Sequence, residues 1–304
     1  MPYLMVQLLN CSTLNNKTLK SNFFHAVFFL MLLQHYSCAQ SITPAGPTNS
    51  GAADSVLPGN LKPVKFIAGN YSMLEVDNLN FIYLLNESGQ LKKLNPNGDS
   101  LSVFNDVKKY GNPGLVDVSN PLKVLLFYKP YASIVLLDKM LTLRNSLNLR
   151  KINIFSVNAI ANAYDNSIWV FDEQDFTLKK ISEQGQVIQE SNDMRLFPGI
   201  APQVSSITDH NNFVYLYDKD NGFFVFDYYG TFKNTLAFKN WGNISFSGNI
   251  LYGTENNRLH IYRIDNQKET VFEMPQPWKD GISIKAMNGK LYVLKKEGLE
   301  IYNL

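Results

Sequence analysis

Phe213–Thr231 reads FVYLYDKDNGFFVFDYYGT: two short runs of aromatic and β-branched residues separated by turn chemistry. Strand composition marks Phe213–Tyr217 and Phe223–Asp227, while the Asp, Asn and Gly that tight turns select follow each run. A hairpin this short cannot bury its own aromatic face, so it must stack on copies of itself. The copies are IYLLNESGQLKKLNPNG at Ile82–Gly98, IWVFDEQDFTLKKISEQG at Ile168–Gly185, ILYGTENNRLHIYRIDN at Ile250–Asn266 and LYVLKKEGLEIYNL at Leu291–Leu304. Each keeps the order strand, polar turn, strand.

The first part of the chain has a different character. Lys17 and Lys20 precede the apolar run Phe23–Leu33, FFHAVFFLMLL, which is followed by small residues at Ser37 and Ala39. A basic segment, an apolar stretch too short to span a bilayer and a small-residue cleavage site make a secretory signal peptide over residues 1–39. Ser37-Cys38-Ala39 before Gln40 fits ordinary cleavage, the preferred reading, which releases a chain beginning near Gln40. The alternative is lipidation of Cys38, since Ser37-Cys38 resembles the end of a bacterial lipobox, although His35 stands where that signal usually has an aliphatic residue. Residues 40–60, rich in Pro, Gly, Ser and Ala, bury too little to fold and read as a flexible linker.

Cysteine usage removes several classes of function. Cys11 and Cys38 both lie in or beside the leader, so the mature domain has no disulfide, no zinc thiolate site and no cysteine nucleophile. A formal net charge of +2, with no Lys/Arg run longer than two residues, gives no footprint for nucleic acid. No apolar run of the mature chain is long enough for a transmembrane helix.

Residues 61–304 divide into six units with first strands beginning near Met73, Val116, Ala159, Ser205, Ile244 and Ile282, a period of roughly 40 residues. The second unit is the least regular. The sixth has only three strands before the chain stops at Leu304, and Val64–Ala68, VKFIA, is available to complete it. The predicted fold is therefore all-β: a six-bladed β-propeller with four-stranded antiparallel blades, its ring closed by an N-terminal strand.

On the recurrent IYLL, IWVFD and VYLYD strands with their following turns, the segment from about Leu61 to Leu304 resembles the six-bladed propellers of the NHL/TolB-like kind. The resemblance implies that the first strand of each blade lines a central channel. It places ligand sites on the face made by the blade-to-blade and second-to-third-strand loops, and implies an exported bacterial protein of the periplasm or outer membrane.

Candidate chemistry is sparse. His210 falls in a first-to-second-strand turn and His260 inside a third strand, and no GxSxG, HExxH or P-loop pattern occurs. Glu87, Glu173, Asp175, Asp218, Asp220 and Glu255 recur in second-to-third-strand turns. Six-bladed lactonases of the gluconolactonase type hold a divalent metal with such residues, and oxygen ligands suit calcium. That makes a metal-dependent lactonase-like hydrolase the alternative function, although acidic turns are ordinary in exposed loops. The blade-to-blade loops combine cations with rings: Lys108, Lys109 and Tyr110; Arg150 and Lys151 with Phe155; Arg195 with Phe197; Lys239 with Trp241; Trp278 with Lys279. Cation plus ring is a common recipe for recognition, and it is also what rings filling gaps between blades beside solvated charges look like. The expectation is an exported, non-catalytic binding or scaffold module for a protein, peptide or glycan partner, with no cofactor.

Overall fold

In a computed structural model, which describes residues 62–196 and 199–304, six four-stranded antiparallel sheets form the blades. The leader, Cys38, the linker and Phe197 lie outside the described residues. Blade 1 runs from Met73 to Phe104, blade 2 from Leu115 to Asn148 and blade 3 from Ile160 to Glu190. Blade 4 runs from Val204 to Leu236, blade 5 from Gly242 to Glu273, and blade 6 holds the strands from Ser283 to Asn303. Among the described residues no helix is long and apolar enough to cross a membrane.

Burial explains why the strands differ in composition. Lys123–Tyr128 and Ile168–Asp172, second strands, are buried along their whole length because both faces of a blade pack on neighbours. The outer strands Leu143–Asn148 and Val187–Glu190 meet solvent and are mostly polar or exposed. Six apolar clusters follow, each shared by two adjacent blades: Trp169 and Phe171 of blade 3 pack with Val214 and Leu216 of blade 4, and Tyr292 and Leu294 of blade 6 with Leu74 and Ile82 of blade 1. No blade buries its faces alone.

One hairpin recurs in blades 1 to 4. At the third-to-fourth-strand turn Asn95, Asp138, Ser182 and Asp227 each accept, through the side chain, the backbone N–H four residues on, at 2.8, 2.8, 3.1 and 2.9 Å. The residue three positions after each is left-handed: Gly98 (φ 80°), Leu141 (φ 60°), Gly185 (φ 83°) and Gly230 (φ 73°). In all four blades the register then slips by one residue, as a type I turn followed by a left-handed bulge requires. Blade 2 puts Leu141 where the others have glycine, which is why its repeat is the hardest to see in the sequence.

Buried lysines tie blades together on the same face. Lys93 Nζ donates to the Lys139 carbonyl of the next blade at 2.8 Å, and Lys123 Nζ to the Asn166 and Ser167 carbonyls of blade 3. Lys180, 2% exposed, lies 3.8 Å from the centroid of the Tyr228 ring in blade 4. An ammonium out of water needs such partners, and burial pulls both Lys93 and Lys123 below the usual lysine range.

The ring closes as the strand count requires. Lys65–Ala68 pairs antiparallel with the last strand, Lys65 opposite Ile301 and Ala68 opposite Gly298. Hydrogen bonds from Val64 N to Ile301 O (2.7 Å) and from Gly69 N to Glu297 O (3.1 Å) extend the ladder. Gly298 has φ 152°, and a Cβ there would stand 2.3 Å from the Ile67 carbonyl oxygen. Gly298→Ala is expected to cost about 1–3 kcal/mol, as overpacking does, and to make the N-terminal strand the first site of proteolysis. Chemical denaturation with limited proteolysis checks this; unchanged stability and cleavage elsewhere would show that the seam does not depend on close approach.

Candidate functional site

Antiparallel blades present two faces. First-to-second and third-to-fourth-strand turns make one, blade-to-blade and second-to-third-strand loops the other. The predicted binding residues that the structure describes are on the second face, and it treats them in two ways.

The two indoles and Tyr110 are buried. Trp241 is 5% exposed, stacks on Phe238 at 4.3 Å and meets Phe223 edge-on at 6.3 Å. Its ring covers Gly253 of the adjacent strand so closely that a Cβ there would lie 2.2 Å from Cε3. Trp278 is 4% exposed, on the short helix Gln276–Lys279, edge-on to Tyr302 at 5.5 Å. Tyr110, on the helix Val107–Tyr110, lies 5.2 Å from Tyr128. These rings fill gaps within and between blades, and only Lys239 and Lys279 remain on the surface beside the indoles.

The second group is exposed and gathers where blades 1, 2 and 3 meet. The 3-10 turn Lys129–Tyr131 of blade 2 and the 3-10 turn Leu149–Ile152 after its last strand are tied by Arg150 Nη2, which donates to the Pro130 carbonyl at 3.0 Å. Lys129 donates to Asn158 of the next connection. Tyr131 approaches Gly111, directly after the helix that carries Lys108 and Lys109. The result is one basic sector in which Tyr131 is 52% and Phe155 54% exposed. Arg195 belongs to another sector, where its guanidinium pairs with Asp193 at 2.6 Å and lies 4.7 Å from the Phe176 ring centroid.

Three of the predicted acidic turn residues are engaged within the fold, while Glu87 and Asp220 are exposed. Asp218, 2% exposed, accepts from the backbone N–H of Gln203 at 2.7 Å and of Asp220 at 2.8 Å. Asp175 pairs with Lys179 at 2.6 Å, and Glu173 accepts from Ser156 at 2.7 Å and from Asn158. Among the described residues no group of three or more His, Cys, Asp or Glu side chains is arranged to hold a metal ion. His210 ends the first strand of blade 4 with Nε2 2.6 Å from the Gly248 carbonyl, and His260 Nδ1 sits 2.6 Å from Glu269. Neither histidine hydrogen-bonds a serine hydroxyl among the described residues.

The central channel implied by the resemblance is present, but the cavity at its mouth lies away from the face on which ligand sites were expected. It has a volume of about 540 Å³ and reaches from the first strands to their turns, the face opposite the loops considered so far. Its carboxylates are engaged: Glu75 with Lys285 at 2.9 Å, Asp77 with the N–H groups of Leu79 and Phe81, Asp117 with those of Ser119 and Asn162, Asp209 with Trp169 Nε1 at 2.9 Å. Burial pushes the Glu75, Asp77 and Asp209 carboxyls above the usual range. Asp165 at the lip behaves oppositely: desolvation pushes it up, but hydrogen bonds from Ser167 and Lys180 outweigh this and hold it at about 2.

No protein-family model and no curated protein matches the chain. Solved structures do resemble it. A streptogramin B lyase aligns with TM-score 0.54 at 16% identity over 76% of this chain and 78% of that one. The Neurospora crassa Pan2 WD40 domain aligns with TM-score 0.54 at 12% identity over 80% and 82%, and a chain of the mitotic checkpoint complex with 0.52 at 11% over 83% and 95%. At these identities the likeness is one of fold, and it supports the propeller.

Trp241→Ala should lower stability by roughly 3–5 kcal/mol, the cost of emptying a packed aromatic site, while Arg150→Ala should stay within about 0.5 kcal/mol. Equilibrium denaturation of both variants reads this directly. A Trp241→Ala protein as stable as the parent would return the indole to the surface.

Proposed function

We propose that this protein is an exported, non-catalytic binding or scaffold propeller of the cell envelope, recognising a protein, peptide or glycan through its blade-to-blade face. The observation that carries the reading is the sector at blades 1 to 3. There the exposed Lys108, Lys109, Arg150 and Lys151 accompany the half-exposed rings of Tyr131, which sits on a 3-10 turn tied to the next by Arg150, and of Phe155, three residues after the second 3-10 turn. Exposed rings on fixed turns supply rigid apolar area at little ordering cost, and the cations select the partner's charge. An acidic partner fits this sector best.

Export rests on the leader pattern of residues 1–39, and the envelope address on the resemblance to exported propellers. Hydrolysis by a lactonase-like route has no observation in its favour. Asp218, Asp175, Glu173 and Glu75 are bonded to backbone N–H groups, lysines or side-chain donors, and among the described residues no three acidic or histidine side chains are grouped to hold a metal ion.

Co-purification from detergent-solubilised envelope identifies the partner, and titration of that purified partner tests the sector. Arg150→Glu combined with Phe155→Ala should weaken binding at least tenfold with unchanged folding, and the loss should shrink as salt screens the charges. Undiminished binding by the folded double variant would remove this sector from the account.

A further inference from the structure

The cavity on the opposite face is a second site of different chemistry. Its lining divides into groups already satisfied and groups left open. Glu75 pairs with Lys285, and Asp77, Asp117 and Asp209 accept from neutral N–H groups, so the carboxylate oxygens are engaged by the protein while the lining keeps a net negative charge; His210 is held by the Gly248 carbonyl. The neutral side chains of Asn78, Ser119, Ser206, Thr208 and Asn212 line the same space and carry no hydrogen bond to another described residue. Ser206 and Thr208 are two residues apart on one strand and therefore point to the same side.

An aromatic cluster begins at Tyr164, which lines the cavity, and runs outward from it. Tyr164 is 61% exposed, packs on Tyr228 at 4.3 Å, and Tyr228 continues to Tyr229, 74% exposed, at 5.2 Å. The rings are held from beneath by the buried Lys180 ammonium, 3.8 Å from the Tyr228 centroid, which is itself fixed by Asp165 at 3.0 Å. A platform anchored this way loses little freedom on binding. Its electron-rich face attracts the positively polarised C–H edge of a saturated ring.

We infer that the channel mouth at the first-to-second-strand turns binds a neutral saccharide. Open hydroxyls and amides meet the sugar hydroxyls, a fixed tyrosine takes the C–H face, and about 540 Å³ lies within the range of small-ligand sites. An anionic ligand would face four carboxylates. A cationic one would have to displace the protein donors from the carboxylate oxygens, and Lys180 already occupies the faces of Trp169 and Tyr228.

Saturation-transfer NMR on the full chain with maltotriose, cellotriose and N,N′-diacetylchitobiose, against glucuronic acid and glucosamine, tests this. Transfer to at least one neutral saccharide is expected, with affinity at least tenfold weaker in Tyr164→Ala and in the near-isosteric Thr208→Val, both checked for an unchanged melting transition. Arg150→Glu should leave saccharide binding intact, because that residue belongs to the other face. No transfer from any neutral saccharide, preference for glucuronic acid or glucosamine, or binding indifferent to both Tyr164 and Thr208 would overturn the inference. If Thr208→Val fails to fold, Tyr164→Ala decides alone, since its ring is at the surface.

Discussion

The structure depends on a burial that no single blade can complete. Second strands such as Lys123–Tyr128 and Ile168–Asp172 are buried on both faces, so every blade needs a neighbour on either side, and the row of blades must close on itself. Closure falls to four residues, Lys65–Ala68, on the outer edge of blade 6. The same requirement governs the faces: once both sides of each sheet are consumed by packing, recognition is left to the turns and the channel.

Two kinds of turn then give the two faces different chemistry. Hairpins of blades 1 to 4 are capped by Asn95, Asp138, Ser182 and Asp227, which satisfy the backbone locally and leave short tips, among them the exposed Tyr229 of blade 4. Blade-to-blade connections are longer and carry short helical turns, and there the exposed cations collect. A sector of exposed cations and rings on one side, and on the other a channel mouth lined by carboxylates and neutral polar side chains, follow from the same connectivity.

Much of the fold was legible in the sequence because its signals are local. The strand-turn-strand repeat and the missing fourth strand of the last unit both lie within a few residues, and the closing role of Val64–Ala68 followed from counting. Blade 2 was harder because Leu141 occupies a left-handed position that glycine marks elsewhere. The fate of the tryptophans was not legible, since the slot that receives Trp241 is made by Gly253 on a different strand. A glycine inside an apolar strand, ILYGTE, was the available hint. Tyr131 was missed because Pro130 marked its segment only as a turn; the channel was expected from the resemblance, but apart from His210 the residues lining its mouth were not singled out, because they come from all six first strands or their turns, far apart in the chain.

Hydrogen exchange followed by mass spectrometry tests most directly the claim that closure couples the blades. If the ring stands or falls as one unit, amides of the Lys65–Ala68 strand should exchange through the same global opening, with the same denaturant dependence, as those of Lys123–Tyr128 and Ile168–Asp172 on the far side. Fast exchange of Lys65–Ala68 while the central strands of blades 2 and 3 stay protected would show a ring that holds without its closing strand, and would contradict the account.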